Sequence, residues 1–203
     1  MRLPSANAYL IPRAAAILMR ERPRLRVELS ELEPPDSFAK LRGAECELVI
    51  GFGYVDGDQD AATADMLRVP LLSEQLDLLL PRDHPLADRS TVDLAELAGE
   101  RWIGGCLRCR DAVTKACAEA GFEPDLACTT DDNLAIQALV GAGLGVALVP
   151  RLLLSALHQQ GVVAVPLKEP LRRHTAVYTW PDLIQVPVVR AAIDALVSAA
   201  RLP

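Results

Sequence analysis

Short apolar segments alternate with stretches of helical periodicity along most of this 203-residue chain. Residues 25–29 alternate strictly between apolar and charged side chains, which is typical of a half-exposed strand. Residues 46–50 are mostly apolar and end at a glycine, which predicts a buried strand. Strands that alternate with helices predict an α/β fold with mostly parallel sheets covered by helices. The other predicted strands are residues 76–80, 101–103, 126–129, 146–149, 162–165 and 176–180, and the predicted helices are residues 14–22, 111–120, 132–142 and 188–200.

Charge and composition exclude several classes of protein. The net charge is −6, whereas a nucleic-acid-binding surface needs a basic face. No apolar run approaches the roughly 18 residues of a membrane span, and Pro12 and Arg13 interrupt the N-terminal apolar stretch before it could act as an export signal. The sequence therefore predicts a cytoplasmic protein without a membrane segment. Five cysteines, an odd number, predict thiols rather than a disulfide scaffold.

Four turns have the chemistry and the position of ligand-binding turns. In open α/β sheets, ligands bind beyond the carboxyl ends of the strands, next to helix N-termini. The turns come from both halves of the chain, which predicts two lobes around one cleft that holds a carboxylate or another small anion. Taken singly, Ser5, Thr130 and Asp131 would serve equally well as helix N-caps. The predicted effector contacts are Ser5, Gly53, Tyr54, Gly105, Cys106, Leu107, Thr129 and Thr130.

Catalytic motifs do not stand out in the sequence. There is no G-x-S-x-G and no H-E-x-x-H pattern. The glycines at 141, 143 and 145 lack the G-x-G-x-x-G spacing and precede a strand, so they predict a tight helix-to-strand turn. His84, His158 and His174 have no acidic or metal partner by spacing. The sequence therefore predicts no enzyme, no catalytic residue and no cofactor.

The Cys106-x-x-Cys109 pair, followed by Cys117 and Cys128, allows three interpretations. A zinc site needs four ligands, and a second C-x-x-C or a matching histidine pair is missing, so no metal is predicted. A redox switch would use Cys106, Cys109 and Cys117, because a thiolate just ahead of a helix is stabilised by the helix dipole. The favoured interpretation is packing, with Cys117 and Cys128 buried and Cys106 near the effector.

Four segments resemble the effector-binding (substrate-binding) domain of LysR-type transcriptional regulators. They are LIPRAAAILMRERPRLRVEL, CELVIGFG, RDHPLADRSTVDLAELAGERWI and LAIQALVGAGLGVALVPRLLL. The resemblance covers nearly the whole chain, and its most specific parts are the HPLA turn at 84–87, Trp102 and the block at 139–150. It implies two Rossmann-like lobes with a hinge, like periplasmic binding proteins of type 2. Lobe I would comprise residues 1–80 and 175–203 and lobe II residues 81–174, with crossings at the turn-rich segment 81–90 and near 174–180.

The resemblance also implies a function. A small-molecule effector would occupy the cleft, Ser5 would take the position where the family holds effector carboxylates, and lobe I would mediate dimerisation. The family's N-terminal winged helix-turn-helix is absent from this chain, so DNA binding is expected only through that missing domain, in a homodimer or tetramer. The predicted function is the effector-sensing domain of a LysR-type regulator.

Two alternatives to this function stay open. Residues 105–108 and 117–121 resemble the peroxide-sensing branch of the family, and this resemblance favours a cysteine-based redox sensor. Cys109 and Arg110 would be an insertion relative to that branch. The other alternative is a free-standing solute-binding protein that serves a transporter.

Overall fold

The computed structural model describes residues 6–32, 35–54, 63–156 and 159–201. The chain divides into two compact units, one formed by Met1–Ser73 with Arg173–Pro203 and the other by Glu74–Arg172. The first boundary follows residue 73, seven residues before the boundary expected after residue 80. The second follows residue 172, two residues before the boundary expected after residue 174. The first boundary falls inside a strand instead of in the turn-rich segment 81–90. None of the helices in the described ranges has the length and apolar character needed to span a membrane.

Helices and strands alternate through both units. A π-helical turn at Ala6–Leu10 leads directly into the first α-helix. The α-helices are α1 (Ile11–Glu21), α2 (Asp36–Arg42), α3 (Leu107–Glu119), α4 (Asn133–Gly141), α5 (Arg151–Ala156) and α6 (Pro187–Ala200). The strands are β1 (Val49–Gly53), β2 (Leu67–Pro81), β3 (Arg101–Gly104), β4 (Asp125–Thr129), β5 (Ala147–Pro150), β6 (Val162–Pro166) and β7 (Arg172–Thr179).

The first unit packs α2 against the antiparallel pair β1 and β7, in which Gly51 lies opposite Ala176. Phe38 of α2 meets Tyr178 of β7 edge to face, with 5.2 Å between the ring centroids. The indole N–H of Trp180 donates to the carbonyl of Leu41 at 3.0 Å. Helices α1 and α6 pack on each other along their apolar faces. The unit therefore holds a sheet core and a separate helix pair.

The second unit has β2 between two antiparallel neighbours. Leu78 lies opposite Leu148 of β5 on one side and opposite Val165 of β6 on the other. Because side chains alternate along a strand, Leu78 and Leu80 enter one core cluster while Leu79 enters another. The other strand pair of this unit, β3 and β4, is parallel. Trp102 of β3 is buried in the first of the two clusters.

Two expectations about the sheets were wrong. Residues 25–29 do not form a strand: Val27 and Leu29 are exposed, and the described part of the chain pairs no strand with them. Alternation produces a strand only where a neighbour completes the hydrogen-bond ladder. The sheets are also not mostly parallel, since β1–β7, β2–β5 and β2–β6 are antiparallel, whereas β3–β4 is parallel. Periodicity identifies strands but does not say which strands become neighbours.

The glycines at 141–145 form the predicted tight turn between α4 and β5. Gly143 has φ +77°, a conformation that favours glycine. A Cβ on Gly145 would lie 2.4 Å from the carbonyl oxygen of Arg101. That carbonyl accepts the N–H of Val146 at 2.8 Å, and the carbonyl of Val146 accepts the N–H of Ile103 at 2.8 Å. The turn therefore joins β5 to the start of β3 through the backbone alone.

Candidate functional site

The carboxyl ends of the parallel strands β3 and β4 lie side by side in the second unit. Gly104, the last residue of β3, is the register partner of Thr129, the last residue of β4. The N–H of Thr130 donates to the carbonyl of Gly104 at 3.0 Å. Five of the predicted effector residues therefore come from two adjacent turns: Gly105, Cys106, Leu107, Thr129 and Thr130.

Each of these turns leads into the N-terminus of a helix. Asp132 caps α4, and its carboxylate accepts the N–H groups of Leu134 at 2.9 Å and Ala135 at 3.3 Å. Thr130 supports this cap, because its hydroxyl oxygen accepts the N–H of Asp132 at 3.2 Å. The N-cap of α3 is Cys106, whose side chain makes no capping hydrogen bond. The start of α3 carries the positive end of the helix dipole, which favours a nearby anion.

A small recess of about 20 Å³ lies beside the start of α3. Its polar lining comes from Cys109, Arg110 and Thr114, and the glycine turn contributes Gly104 and Gly105. Its apolar lining includes Trp102 and Leu126. The recess holds little more than one water molecule, so a larger ligand would also have to contact the surface around the two turns.

The cysteines of this unit differ strongly in their surroundings. Cys106 and Cys109 are half-buried, and their Sγ atoms lie 2.9 Å apart. Cys117 is fully buried, in the same core cluster as Trp102 and Val146, and burial raises the pKa of its thiol to about 11. Cys128 is half-buried rather than buried and packs against the other core cluster. No group of three or more potential metal ligands occurs in the described residues.

Two of the predicted effector residues lie in the first unit. Gly53 ends β1 opposite His174 of β7. The ring of Tyr54 meets that of Phe52 edge to face at 5.9 Å. Ser5 lies outside the described residues, as does His158.

Sequence reasoning missed some residues of the site and misplaced one. The N-cap of α4 is Asp132 rather than Thr130 or Asp131, because neighbouring aspartates do not reveal the frame in which a helix begins. Arg108 and Arg110 belong to the first turn of α3, and their spacing around the second cysteine was the available signal. His84 has an acidic partner that its spacing did not predict. Its Nδ1 accepts the N–H of Leu86 at 3.2 Å and its Nε2 lies 3.1 Å from the Glu100 carboxylate.

Comparison with known proteins identifies the family. The family model described as LysR substrate binding domain matches residues 3–201. The DNA-binding transcriptional dual regulator OxyR of Escherichia coli K12 is 30% identical over 178 residues, which cover 85% of this chain and 56% of that protein. The chain thus spans little more than half the length of this curated relative.

Solved structures show the same fold. The reduced OxyR regulatory domain from Pseudomonas aeruginosa superposes with a TM-score of 0.79 at 22% identity, covering 96% of this chain and 94% of that one. The BenM effector binding domain with its effector benzoate gives 0.77 at 20% identity, covering 95% and 86%. The mixed α/β fold is therefore the periplasmic-binding-protein type 2 fold of these regulatory domains, as the sequence predicted. The chain belongs to the family of LysR substrate binding domains.

Proposed function

We propose that this chain is the effector-sensing regulatory domain of a LysR-type transcriptional regulator and that its effector is a small anion. The observation that carries the effector site is the adjacency of Gly104 and Thr129, which places the starts of α3 and α4 at one edge of a parallel strand pair. The N-terminus of α3, at this edge, carries the positive end of a helix dipole, which favours an anion. Arg110 of α3 is one of the residues that line the recess beside this edge.

Effector binding would act through a shift of population. A ligand changes the equilibrium between two arrangements of a protein only by as much as its affinity for the two differs. In such a regulator, DNA binding would come from a winged helix-turn-helix domain, in a cytoplasmic homodimer or tetramer. Dimerisation through the first unit stays a prediction from the sequence. The contributions of Ser5, Gly53 and Tyr54 to effector binding stay predictions from the sequence.

A thermal-shift screen of small carboxylates, benzoate among them, tests the effector site. A ligand that binds only the folded state raises the melting temperature by mass action. Thr129→Val removes one exposed hydroxyl at the edge and keeps the side-chain shape, so it should weaken the response to an active carboxylate. Thr91→Val is the matched control, because Thr91 is also exposed in the second unit but lies outside the two turns. Equal responses of both variants and the parent chain to every active carboxylate would place the site elsewhere.

A second candidate function is cysteine-based sensing of a hydroperoxide. It is supported by the 2.9 Å separation of the Cys106 and Cys109 sulfurs and by relatives described as hydrogen peroxide-inducible genes activators in Escherichia coli. Thiol counting after treatment with hydrogen peroxide tests it. Loss of two thiols, restored by dithiothreitol, is the expected result, whereas an unchanged thiol count would exclude this function.

A further inference from the structure

We propose that Cys106 and Cys109 form the redox-active pair of this chain, closing a disulfide within the first turn of α3 while Cys117 keeps its thiol. This inference rests on the second candidate function and names the two sulfurs that it uses.

Helix geometry favours the short pair. Cys106 is the N-cap of α3 and Cys109 is the third residue of the helix, and side chains at these two positions face each other across the first turn. Three residues of helix correspond to a rise of about 4.5 Å, which is compatible with the Cα separation of roughly 4.4 to 6.8 Å that a disulfide allows. The Sγ atoms already lie 2.9 Å apart. The bond can therefore form without unwinding α3.

The same geometry opposes a bond from Cys106 to Cys117. Both residues belong to α3 and its cap, eleven positions apart, so the helix separates them by a rise of about 16 Å. A disulfide cannot bridge Cα atoms more than about 7 Å apart, so roughly three helical turns would have to unwind. Cys109 and Cys117 are separated by about 12 Å of helix, which is also too far. Neither long pairing can form while α3 is intact.

The surroundings of the thiols agree with this choice. Cys117 is fully buried among Leu97, Trp102 and Val146, and burial raises the pKa of its thiol to about 11, so it stays protonated and shielded at neutral pH. Cys106 is half-buried and caps a helix whose first turn carries Arg108 and Arg110. Positive charge and a helix N-terminus both favour a thiolate, which is the reactive form of cysteine. Cys106 is therefore the attacking sulfur and Cys109 the resolving one.

The chemistry needs only a hydroperoxide as oxidant. The Cys106 thiolate attacks one peroxide oxygen, the S–O bond forms, the O–O bond breaks, and the leaving oxygen takes a proton and departs as water when the oxidant is hydrogen peroxide. The resulting sulfenic acid is attacked by Cys109, so that the S–S bond forms and the S–O bond breaks. The hydroxide leaves with the Cys109 proton as a second water. Two thiols lose two electrons and one hydrogen peroxide gains them.

Tryptic mapping separates the possible disulfides directly, because arginines flank each cysteine of the pair. Cleavage after Arg101, Arg108, Arg110 and Lys115 leaves Cys106 on peptide 102–108 and Cys109 on dipeptide 109–110, whereas Cys117 and Cys128 share peptide 116–151. The reduced 203-residue chain is treated with hydrogen peroxide, free thiols are alkylated, and the digest is read by mass spectrometry. The expected product is peptide 102–108 joined to dipeptide 109–110. Peptide 102–108 joined to peptide 116–151 would overturn the inference and leave hydroperoxide sensing intact, whereas no disulfide at all would overturn both.

Two variants complete the test. Cys109→Ser should lose the cross-linked peptide and accumulate the Cys106 sulfenic acid, which a dimedone adduct on peptide 102–108 would detect. Cys117→Ala should keep the cross-linked peptide at unchanged yield. Cys46→Ser, in the first unit, is the matched control and should also keep it. Loss of the peptide in Cys117→Ala, with α3 folded by circular dichroism, would contradict the assignment.

Discussion

The guanidinium of Arg151 donates two hydrogen bonds to the carboxylate of Asp77, from Nε to Oδ2 and from a terminal nitrogen to Oδ1, each 2.7 Å long. Asp77 is buried in β2, whereas Arg151 is the half-exposed first residue of α5. The bond to Asp77 raises the pKa of the Arg151 guanidinium. Three residues earlier in β2, the Glu74 carboxylate accepts the N–H of Leu152 at 2.9 Å. Two acidic residues of β2 thus hold the N-terminus of α5.

Asp77→Asn should destabilise the protein by about 1 to 3 kcal/mol, because a buried acceptor of two charge-assisted hydrogen bonds loses its charge and half of its acceptor capacity. Urea unfolding measures the free energy. The matched control is Asp65→Asn, which neutralises an exposed carboxylate 3.0 Å from Arg42. An exposed ion pair contributes little, so the control should change stability by less than about 1 kcal/mol. Equal effects of the two substitutions would show that the Arg151 pair contributes no more than a surface contact.

The buried thiol of Cys117 should make stability fall at alkaline pH. Burial raises the pKa of this thiol from 9.0 to about 11, so the native state keeps its proton to higher pH than the unfolded chain does. The stabilising contribution of the neutral thiol is complete below about pH 9 and is lost as the pH rises toward 11. Urea unfolding of the parent chain and of Cys117→Ala between pH 8 and pH 10.5 isolates this group from other titrating residues. The stability advantage of the parent chain should shrink with pH, and two parallel curves would contradict the prediction.

Gly145→Ala should cost about 1 to 3 kcal/mol, the usual penalty for forcing a methyl group into filled space. The added Cβ would stand 2.4 Å from the Arg101 carbonyl, which already accepts the N–H of Val146. Gly99→Ala is the control, because its Cβ would meet nothing within 4 Å. Thermal unfolding of both variants should show a clear drop for Gly145→Ala and little change for Gly99→Ala. A tolerated Gly145→Ala would mean that β3 and β5 can separate without cost.

Asp132→Ala should remove the cap of α4 and cost about 1 kcal/mol, whereas Asp132→Ser should restore most of the loss. The neighbouring substitution Asp131→Ala controls for the loss of one negative charge at the same turn. Chemical denaturation followed by circular dichroism distinguishes the two positions. If Asp131→Ala were the more damaging change, α4 would have to begin one residue earlier than Asn133.

The sequence predicted β3, β4, β5 and β6 to within one residue at either end, because each is an apolar run bounded by turn residues. It did not predict that β2 begins at Leu67, since residues 67–75 include Pro70 and Glu74 and have no clean periodicity. The adjacency of Gly104 and Thr129 was foreseeable because neighbouring parallel strands end at the same edge of a sheet. The pairing of Asp77 with Arg151 was not, since it joins residues 74 positions apart and depends on which strands become neighbours.

The chain contains two tryptophans, and each compact unit holds one of them. Trp102 is buried in an apolar core beside Phe122, with 6.3 Å between the ring centroids. Trp180 is half-exposed, and its indole N–H donates to the carbonyl of Leu41. Their emission should differ in wavelength, blue-shifted for Trp102 and red-shifted for Trp180. Variants that keep only one tryptophan would therefore give each compact unit its own intrinsic fluorophore. Unfolding of the two units could then be followed separately without an attached label.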